Sequence, residues 1–270
     1  MKPQWRGGFY PRGLAQRSEL EFVSRRLSSL EINTTFYGLP SAASVEKWRD
    51  ETPESFVFAV KGYKPVAQWR AANARAPLAD FFASGILRLG AKLGPLLWQL
   101  PEGRKLQLDE VAEFVALLPR SVAAASALAA ESRKVEWVDS ELTDRPLRHA
   151  IEIRNETFVA PSFVELMRAS DIAIAQTNSP QHPQLREVTS DFLYVRLSSG
   201  PGHFFEGYDD ATLDQWAARI EGWRGDGRDV FVYFNNPDGD LPHTPFNALR
   251  LIERLGGNSP ADSAAAGQLF

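Results

Sequence analysis

Two hydrophobic periods alternate along the chain. Seven short runs carry apolar residues with a period near two: Leu30-Glu31-Ile32-Asn33, Phe56 to Lys61, Leu96-Leu97-Trp98-Gln99, Ala150 to Arg154, Ile172 to Gln176, Leu193 to Arg196 and Val230 to Asn236. Such runs read as β-strands. Nearly all of them deliver polar or charged residues at or near their C-terminal ends. Most are separated by segments of helical period. Crossovers of helix length imply parallel pairing, because parallel strands cannot be joined by a tight turn.

The helical segments have recognisable ends. Residues 18–30 place apolar side chains at 20, 22, 23, 27 and 30, with Ser18 and Glu21 at capping-box spacing. Further helices are expected from Pro40-Ser41 to before Thr52-Pro53, then over 77–92, 109–119, 161–170, 209–224 and 244–255. Residues 120–146 are Ala-rich at first and then carry Val135-Glu136-Trp137-Val138, which reads as an insertion with a helix and a short strand. From 256 to 270 the Ser/Ala/Gly/Pro tail has almost no apolar pattern, and disorder is expected there. No linker divides the chain, so residues 1–255 are expected to form one domain. The architecture expected is α/β, a (β/α)8 TIM-barrel-like fold with seven barrel strands present. An open doubly wound sheet competes, but it usually carries a Gly-rich phosphate loop after its first strand, and none is present.

In such a barrel the chemistry sits at the C-terminal ends of the strands. Alternation then decides which side chains reach the mouth. If Ile151 and Ile153 face the helices, Glu152 and Arg154 face inward. The same argument turns Glu31, Asn33, Lys61, Gln99, Arg196, Tyr233 and Asn235 inward, while His149 falls on the outer face. Burying this many ionisable groups costs several kcal/mol each unless they pair, so a mouth built this way points to an anionic or polar small-molecule ligand. Lys61, Arg154 and Arg196 would bind it, with Asn33, Tyr37, Gln99, Tyr233 and Asn235 around them, and Glu31 and Glu152 are candidates for proton transfer. Aromatics after strand ends (Phe36-Tyr37, Tyr63, Trp69, Phe158, Phe204-Phe205, Tyr208) could stack a sugar or base, or pack the top of the barrel.

Composition narrows the chemistry. With no cysteine among 270 residues, disulfides, thiolate catalysis and Cys-ligated metals are excluded. The four histidines show no ligand spacing, so no metal site and no cofactor is implied. There is no Gly-x-Ser-x-Gly elbow. A net charge of −4 disfavours binding of nucleic acid through bulk electrostatics, although Arg outnumbers Lys. No apolar run reaches the roughly 20 residues needed to span a bilayer, and Met1 to Arg6 lacks a signal-peptide core. A soluble, cytoplasmic protein is the expectation.

Longer stretches carry a resemblance. Glu31-Ile32-Asn33-Thr34-Thr35-Phe36-Tyr37-Gly38-Leu39-Pro40, Trp48, Thr52-Pro53, Phe56 to Lys61, Leu93 to Pro101, Ile151 to Arg154, Tyr194-Val195-Arg196-Leu197 and Val232 to Asn236 resemble, in order, the DUF72 or YecE-like family of TIM-barrel proteins. The resemblance covers about residues 5–255 and implies a β/α barrel. It implies no reaction and no cofactor. The chain departs from the family pattern in three places. Asn155-Glu156 stand where His-Pro is common, and Ser198 stands where His is common, which removes two imidazoles titrating near neutrality. A short first strand resembling Ile-Gly-Thr-Ser-Gly-Trp-Ser-Tyr is expected ahead of the segment matched by Trp5 to Pro11 and is missing from this sequence.

The leading expectation is thus an enzyme or binding protein for a small anionic or polar substrate at the barrel mouth. The alternatives are a glycoside hydrolase using two carboxylates, a nucleic-acid-binding or processing protein, and a degenerate, non-catalytic barrel.

Overall fold

Among the described residues, every pair of strands is parallel. The computed structural model describes residues 5–68, 71–134, 145–198, 207–235 and 243–257. One sheet runs in the order β1 (Ser29–Ile32), β2 (Val57–Lys61), β3 (Leu93–Gln99), β4 (His149–Glu152) and β5 (Ala173–Ile174), and a second runs β6 (Gln176–Thr177), β7 (Phe192–Ser198), β8 (Asp229–Asn235). Sequential neighbours pair throughout each sheet, as expected when each crossover returns the chain beside the strand it left.

The single strand expected over 172–177 is split at Ala175. Its first half pairs with β4 and its second with β7. Thr189 explains the switch: its hydroxyl donates to the Ile172 carbonyl at 2.6 Å and accepts from the Ile174 amide at 3.2 Å. A side chain thus occupies the edge where β7 would otherwise pair.

Helices pack outside the strands: α1 (Glu19–Ser24), α2 (Ala42–Asp50), α3 (Lys64–Ala67), α4 (Ala71–Ala83), α5 (Leu108–Leu117), α6 (Val122–Ala129), α7 (Pro161–Ala169), α8 (Asp210–Gly225) and α9 (Thr244–Arg254). Two differ from expectation. The helix expected over 18–30 stops at Ser24, and Ser18 makes no capping hydrogen bond because a 3₁₀ turn (Gln16–Ser18) runs directly into α1. Leu27 and Leu30 continue the apolar stripe from a turn and a strand instead. The helix expected over 77–92 begins earlier, carries Pro77 inside it and ends before Gly85, whose φ of +96° is left-handed. A Cβ at Gly85 would come within 2.8 Å of the Ala42 backbone, so the helix stops where α2 crosses. Within the expected insertion, α6 is formed, and Ser121 bridges Pro146 antiparallel. The short strand expected at 135–138 and the tail from 258 lie outside the described residues.

Alternation sorts the core into layers. Outward-facing Ile32, Phe58, Val60, Leu96, Trp98, Ile151 and Ile153 join the helices in the largest cluster. Inward-facing Ala59, Leu97, Ala150, Ala173, Phe192, Tyr194 and Tyr233 form a second. Small residues on β2, β4 and β5 make room for the two tyrosines on β7 and β8. His149, on the outer face, is structural: its Nδ1 accepts from Trp98 Nε1 at 3.0 Å and its Nε2 meets the Pro119 carbonyl at 2.7 Å. Burial pushes its pKa down to about 4, keeping it neutral in this network.

Among the described residues, β1 pairs only with β2 and β8 only with β7. The hydrogen-bonded ladder is therefore not closed around the molecule. A cleft of about 770 Å³ lies along this seam, lined by Leu30 and Ile32, by Val230, Val232 and Phe234, and by Trp5. Backbone groups at the seam lack strand partners, so amides of β1 and β8 directed across it should exchange with deuterium faster than those of β3. Equal protection of all three strands in native-state exchange would show that the seam is bonded in solution.

Candidate functional site

Arg196, in the middle of β7, organises the C-terminal end of the strands. Its side chain is 2% exposed, and those of Glu31 and Glu152 are each 4% exposed. Nε and Nη2 grip Glu31 in a two-pronged bond at 3.0 and 2.8 Å, while Nη1 donates to Glu152 at 2.5 Å. Planar guanidinium suits this double recognition, which a lysine could not make.

The remaining carboxylate valences are filled. Asn33 Nδ2 donates to Glu31 Oε1 at 2.8 Å, and the Tyr194 hydroxyl donates to Glu31 Oε2 at 2.6 Å. Gln99 Nε2 donates to Glu152 Oε2 at 2.7 Å, and Arg154 leans on Glu152 Oε1 through Nε and Nη2, both at 3.3 Å. All four carboxylate oxygens are engaged. Strand register explains the meeting, since Gln99 lies directly beside Glu152 and Tyr233 beside Arg196.

Lys61 ends β2 and is placed from two sides. Thr35, fully buried, donates its hydroxyl to the Lys61 carbonyl at 2.6 Å and sits within 3.1 Å of the Ile32 carbonyl, which fixes the 3₁₀ turn Thr34–Phe36. That turn sets the Phe36 ring 4.1 Å from Lys61 Nζ, a cation–π contact. Gly62 follows Lys61, because a Cβ there would overlap the Trp98 ring at 2.2 Å.

The electrostatics separate the groups. Burial would raise the pKa of Glu152, but Arg196, Arg154, Gln99 and Lys61 outweigh it and hold the pKa at about 2. Burial likewise opposes charge on Arg196, yet its two carboxylates raise its pKa and keep it protonated. Lys61 goes the other way. Burial first, then the nearby Arg196 and Arg154, push its pKa down to about 8 against the opposing pull of Glu152 and Glu31.

Glu31, Asn33, Lys61, Gln99, Glu152, Arg154 and Arg196 therefore come together as alternation predicts, with the Tyr233 ring tilted against Tyr194 at 5.1 Å between ring centres. Two candidates stand apart. Tyr37 is 79% exposed and touches Phe36 edge-on. Asn235 lines the seam cleft beside Tyr233. Phe158 and Tyr208 are buried in the core, so neither offers a free face for stacking, and Lys61 takes one face of Phe36. Trp69, Phe204 and Phe205 lie outside the described residues.

Sequence reasoning missed Tyr194 and His182. Tyr194 follows from the alternation that placed Arg196 and was overlooked because a tyrosine reads as core. His182 comes from the loop after β6. Burial lowers its pKa first, then Arg154, while Glu152 and Glu102 act against them. Its Nδ1 is buried with no hydrogen-bond partner. Only its position after a strand's C-terminal end could have flagged it. Among the described residues no cluster of three or more His, Asp or Glu side chains is placed to hold a metal ion, and no helix is long and apolar enough to cross a membrane.

Comparison with known proteins gives a consistent result. The family model described as "Protein of unknown function DUF72" matches residues 1–268. The chain is 23% identical to UPF0759 protein YunF of Bacillus subtilis (strain 168), over 85% of this chain and 84% of that one. It is 24% identical to UPF0759 protein YecE of Escherichia coli (strain K12), over 86% of each. Among solved structures, a DUF72 family protein from Enterococcus faecalis V583 aligns with a TM-score of 0.68 at 20% identity, covering 90% of each chain. A DUF72 family protein from Thermotoga maritima MSB8 aligns with a TM-score of 0.68 at 19% identity, covering 94% of this chain and 95% of that one.

Two stability predictions follow from the ion cluster. Glu152→Gln leaves Arg196 undercompensated in a buried setting and should cost about 3 kcal/mol or more in urea unfolding; a loss below about 1 kcal/mol would show that the pair contributes little. The stability that Glu152 brings is complete above its ordinary pKa of 4.5 and is lost as pH falls towards about 2, so wild type should weaken in that window more than Glu152→Gln does. Lys61 is different: the fold binds fewer protons than the unfolded chain between pH 8 and 10.5, so stability gains with rising pH there. Lys61→Met should melt higher than wild type at pH 7 and lack that gain. A lower melting temperature for Lys61→Met would mean that the Phe36 contact outweighs desolvation.

Proposed function

The chain belongs to the DUF72 family, and from that premise we propose that it binds, or acts on, a small anionic or polar molecule at the C-terminal mouth of its strands. One observation carries the reading. Two carboxylates face three cations, and Arg196 alone occupies three of the four carboxylate oxygens. The mouth is left with excess positive charge on Lys61 and on Arg154, whose Nη1 makes no hydrogen bond among the described residues. An anion restores the balance, and the guanidinium fork gives it direction. Asn33, Gln99, Tyr37, Tyr233 and Asn235 surround or rim the site as secondary contacts.

Within this reading Glu31 and Glu152 hold Arg196 and supply counter-charge. Glu152, held ionised with both oxygens bonded, cannot serve as the general acid and is only a weak base near neutral pH. The same geometry disfavours glycoside hydrolysis, which needs one carboxyl group to protonate the leaving oxygen and the other to face the sugar or a water. Here every carboxylate oxygen already has a donor. Nucleic-acid binding finds no support in a net charge of −4. For the fold, we read the two sheets as one (β/α)8-type barrel with a single strand position unfilled between β1 and β8. A cysteine-free chain suits a cytoplasmic setting.

The test is thermal stabilisation by inorganic phosphate, pyruvate and malonate against a neutral sugar at equal ionic strength. A ligand at about 100 times its Kd adds roughly 2.7 kcal/mol, readily seen as a rise in Tm. The rise should be specific to the anions and should disappear in Arg154→Met. Equal response to the neutral sugar, or full retention in Arg154→Met, would overturn the reading.

A further inference from the structure

Lys61 is held in a way that neither stability nor simple ion pairing explains. Among the described residues its Nζ makes no hydrogen bond and no salt bridge, because Arg196 and Arg154 have taken the carboxylates of Glu31 and Glu152. Yet Nζ is not among the buried polar atoms sealed from solvent without a partner. It rests on the face of Phe36, at the end of a strand pinned by Thr35 and by the close approach of Gly62 to Trp98. This is a positioned amine, desolvated and beside other cations, which is the environment that activates a lysine as a nucleophile.

Resting on the reading of the mouth as an anion site, we propose that the Lys61 amine condenses with the carbonyl of a small aldehyde or ketone bearing a carboxylate, giving a covalent imine. Arg154 Nη1 holds the carboxylate. The Nζ lone pair attacks the carbonyl carbon, forming the C–N bond while the C=O π electrons move to oxygen. That oxygen then leaves as water with the two amine hydrogens, and C=N forms. Nothing is oxidised or reduced, and no co-reactant is required. When the imine is protonated, its charge sits near Glu31 and Glu152.

The charged groups facing Lys61 are Glu31 from β1, Glu152 and Arg154 from β4 and its extension, and Arg196 from β7. Gln99 on β3 and Phe36 carry no charge, and Tyr194, its pKa raised by burial and then by Glu31, stays neutral. The arginines and burial favour the free amine, and the carboxylates oppose it. With a pKa of about 8 against an ordinary 10.5, a few-hundredfold more amine is free at pH 7 than on an exposed lysine.

The experiment treats the native full chain with pyruvate and sodium cyanoborohydride at pH 7 to 9 and maps the reduced adduct by peptide mass spectrometry. Lys61 should label roughly tenfold faster than the exposed Lys47 and Lys64, with a rate that rises through pH 8 and falls when inorganic phosphate competes. Lys61→Arg, which keeps the charge but lacks the attackable amine, should lose this adduct, and Arg154→Met should slow the labelling of Lys61. If Lys61→Arg does not fold, the site mapping in wild type decides alone. Labelling spread over exposed lysines with none on Lys61 overturns the proposal. If pyruvate still raises Tm in that case, anion binding stands and only the nucleophile falls. Labelling of Lys61 that is insensitive to phosphate and to Arg154→Met retains the nucleophile and removes the anion site.

Discussion

The buried guanidinium of Arg196 is the interaction on which the rest of the site depends. It sits on β7, yet its strongest grip is on Glu31 of β1, 165 residues earlier in the chain, and its remaining arm reaches Glu152 of β4. Three strands from distant parts of the sequence are tied at one atom group. The cost of removing three charges from water is offset because all four carboxylate oxygens in the cluster have donors. That completeness fixes the chemistry available. The carboxylates are committed, so in the proposed reading what remains for a ligand is cationic.

This division of labour resolves the ambiguity of a charged mouth. Ion pairing and ligand binding are not alternatives for the same residues. Glu31, Glu152 and Arg196 satisfy one another, with Asn33, Gln99 and Tyr194 completing them. Arg154 completes Glu152 with two of its nitrogens, so the one positive charge in excess falls to Lys61. The surplus Lys61 is held by an aromatic face and a rigid strand end instead of a counter-ion. Such an arrangement lowers stability near neutral pH, and proteins tend to retain costs of that kind at places where they do something.

Much of this was legible in the sequence, for a physical reason. Alternation along a strand is a strict period of two, so once Ile151 and Ile153 are assigned to the helices, Glu152 and Arg154 have no other place to go. The same rule correctly turned Glu31, Lys61 and Arg196 inward and His149 outward. Pairing was not legible. Which carboxylate meets which cation depends on strand stagger across the interior, and no local pattern records it. His182 was invisible because a loop has no period. For Phe36 the sequence left stacking and packing both open, because nothing local says that a lysine at the end of the next strand will lie on its ring. The break at Ala175 came from the hydroxyl of Thr189, a tertiary contact that overrode a pattern locally favouring continuity.

The unpaired edges of β1 and β8 take on a different meaning once the bond from Arg196 to Glu31 is considered with them. Among the described residues the other neighbouring strands are joined by backbone hydrogen bonds, except where Thr189 takes the edge of β5. Between β1 and β8 side chains make the link, with Arg196 reaching from β7 to Glu31. On the proposed barrel reading this is mechanically a split ring held by a clasp, and the clasp is the floor of the proposed ligand site. A ring of that kind has one soft direction, the opening of its slit, so in that reading occupancy at the mouth and the width of the slit are two readings of the same spring.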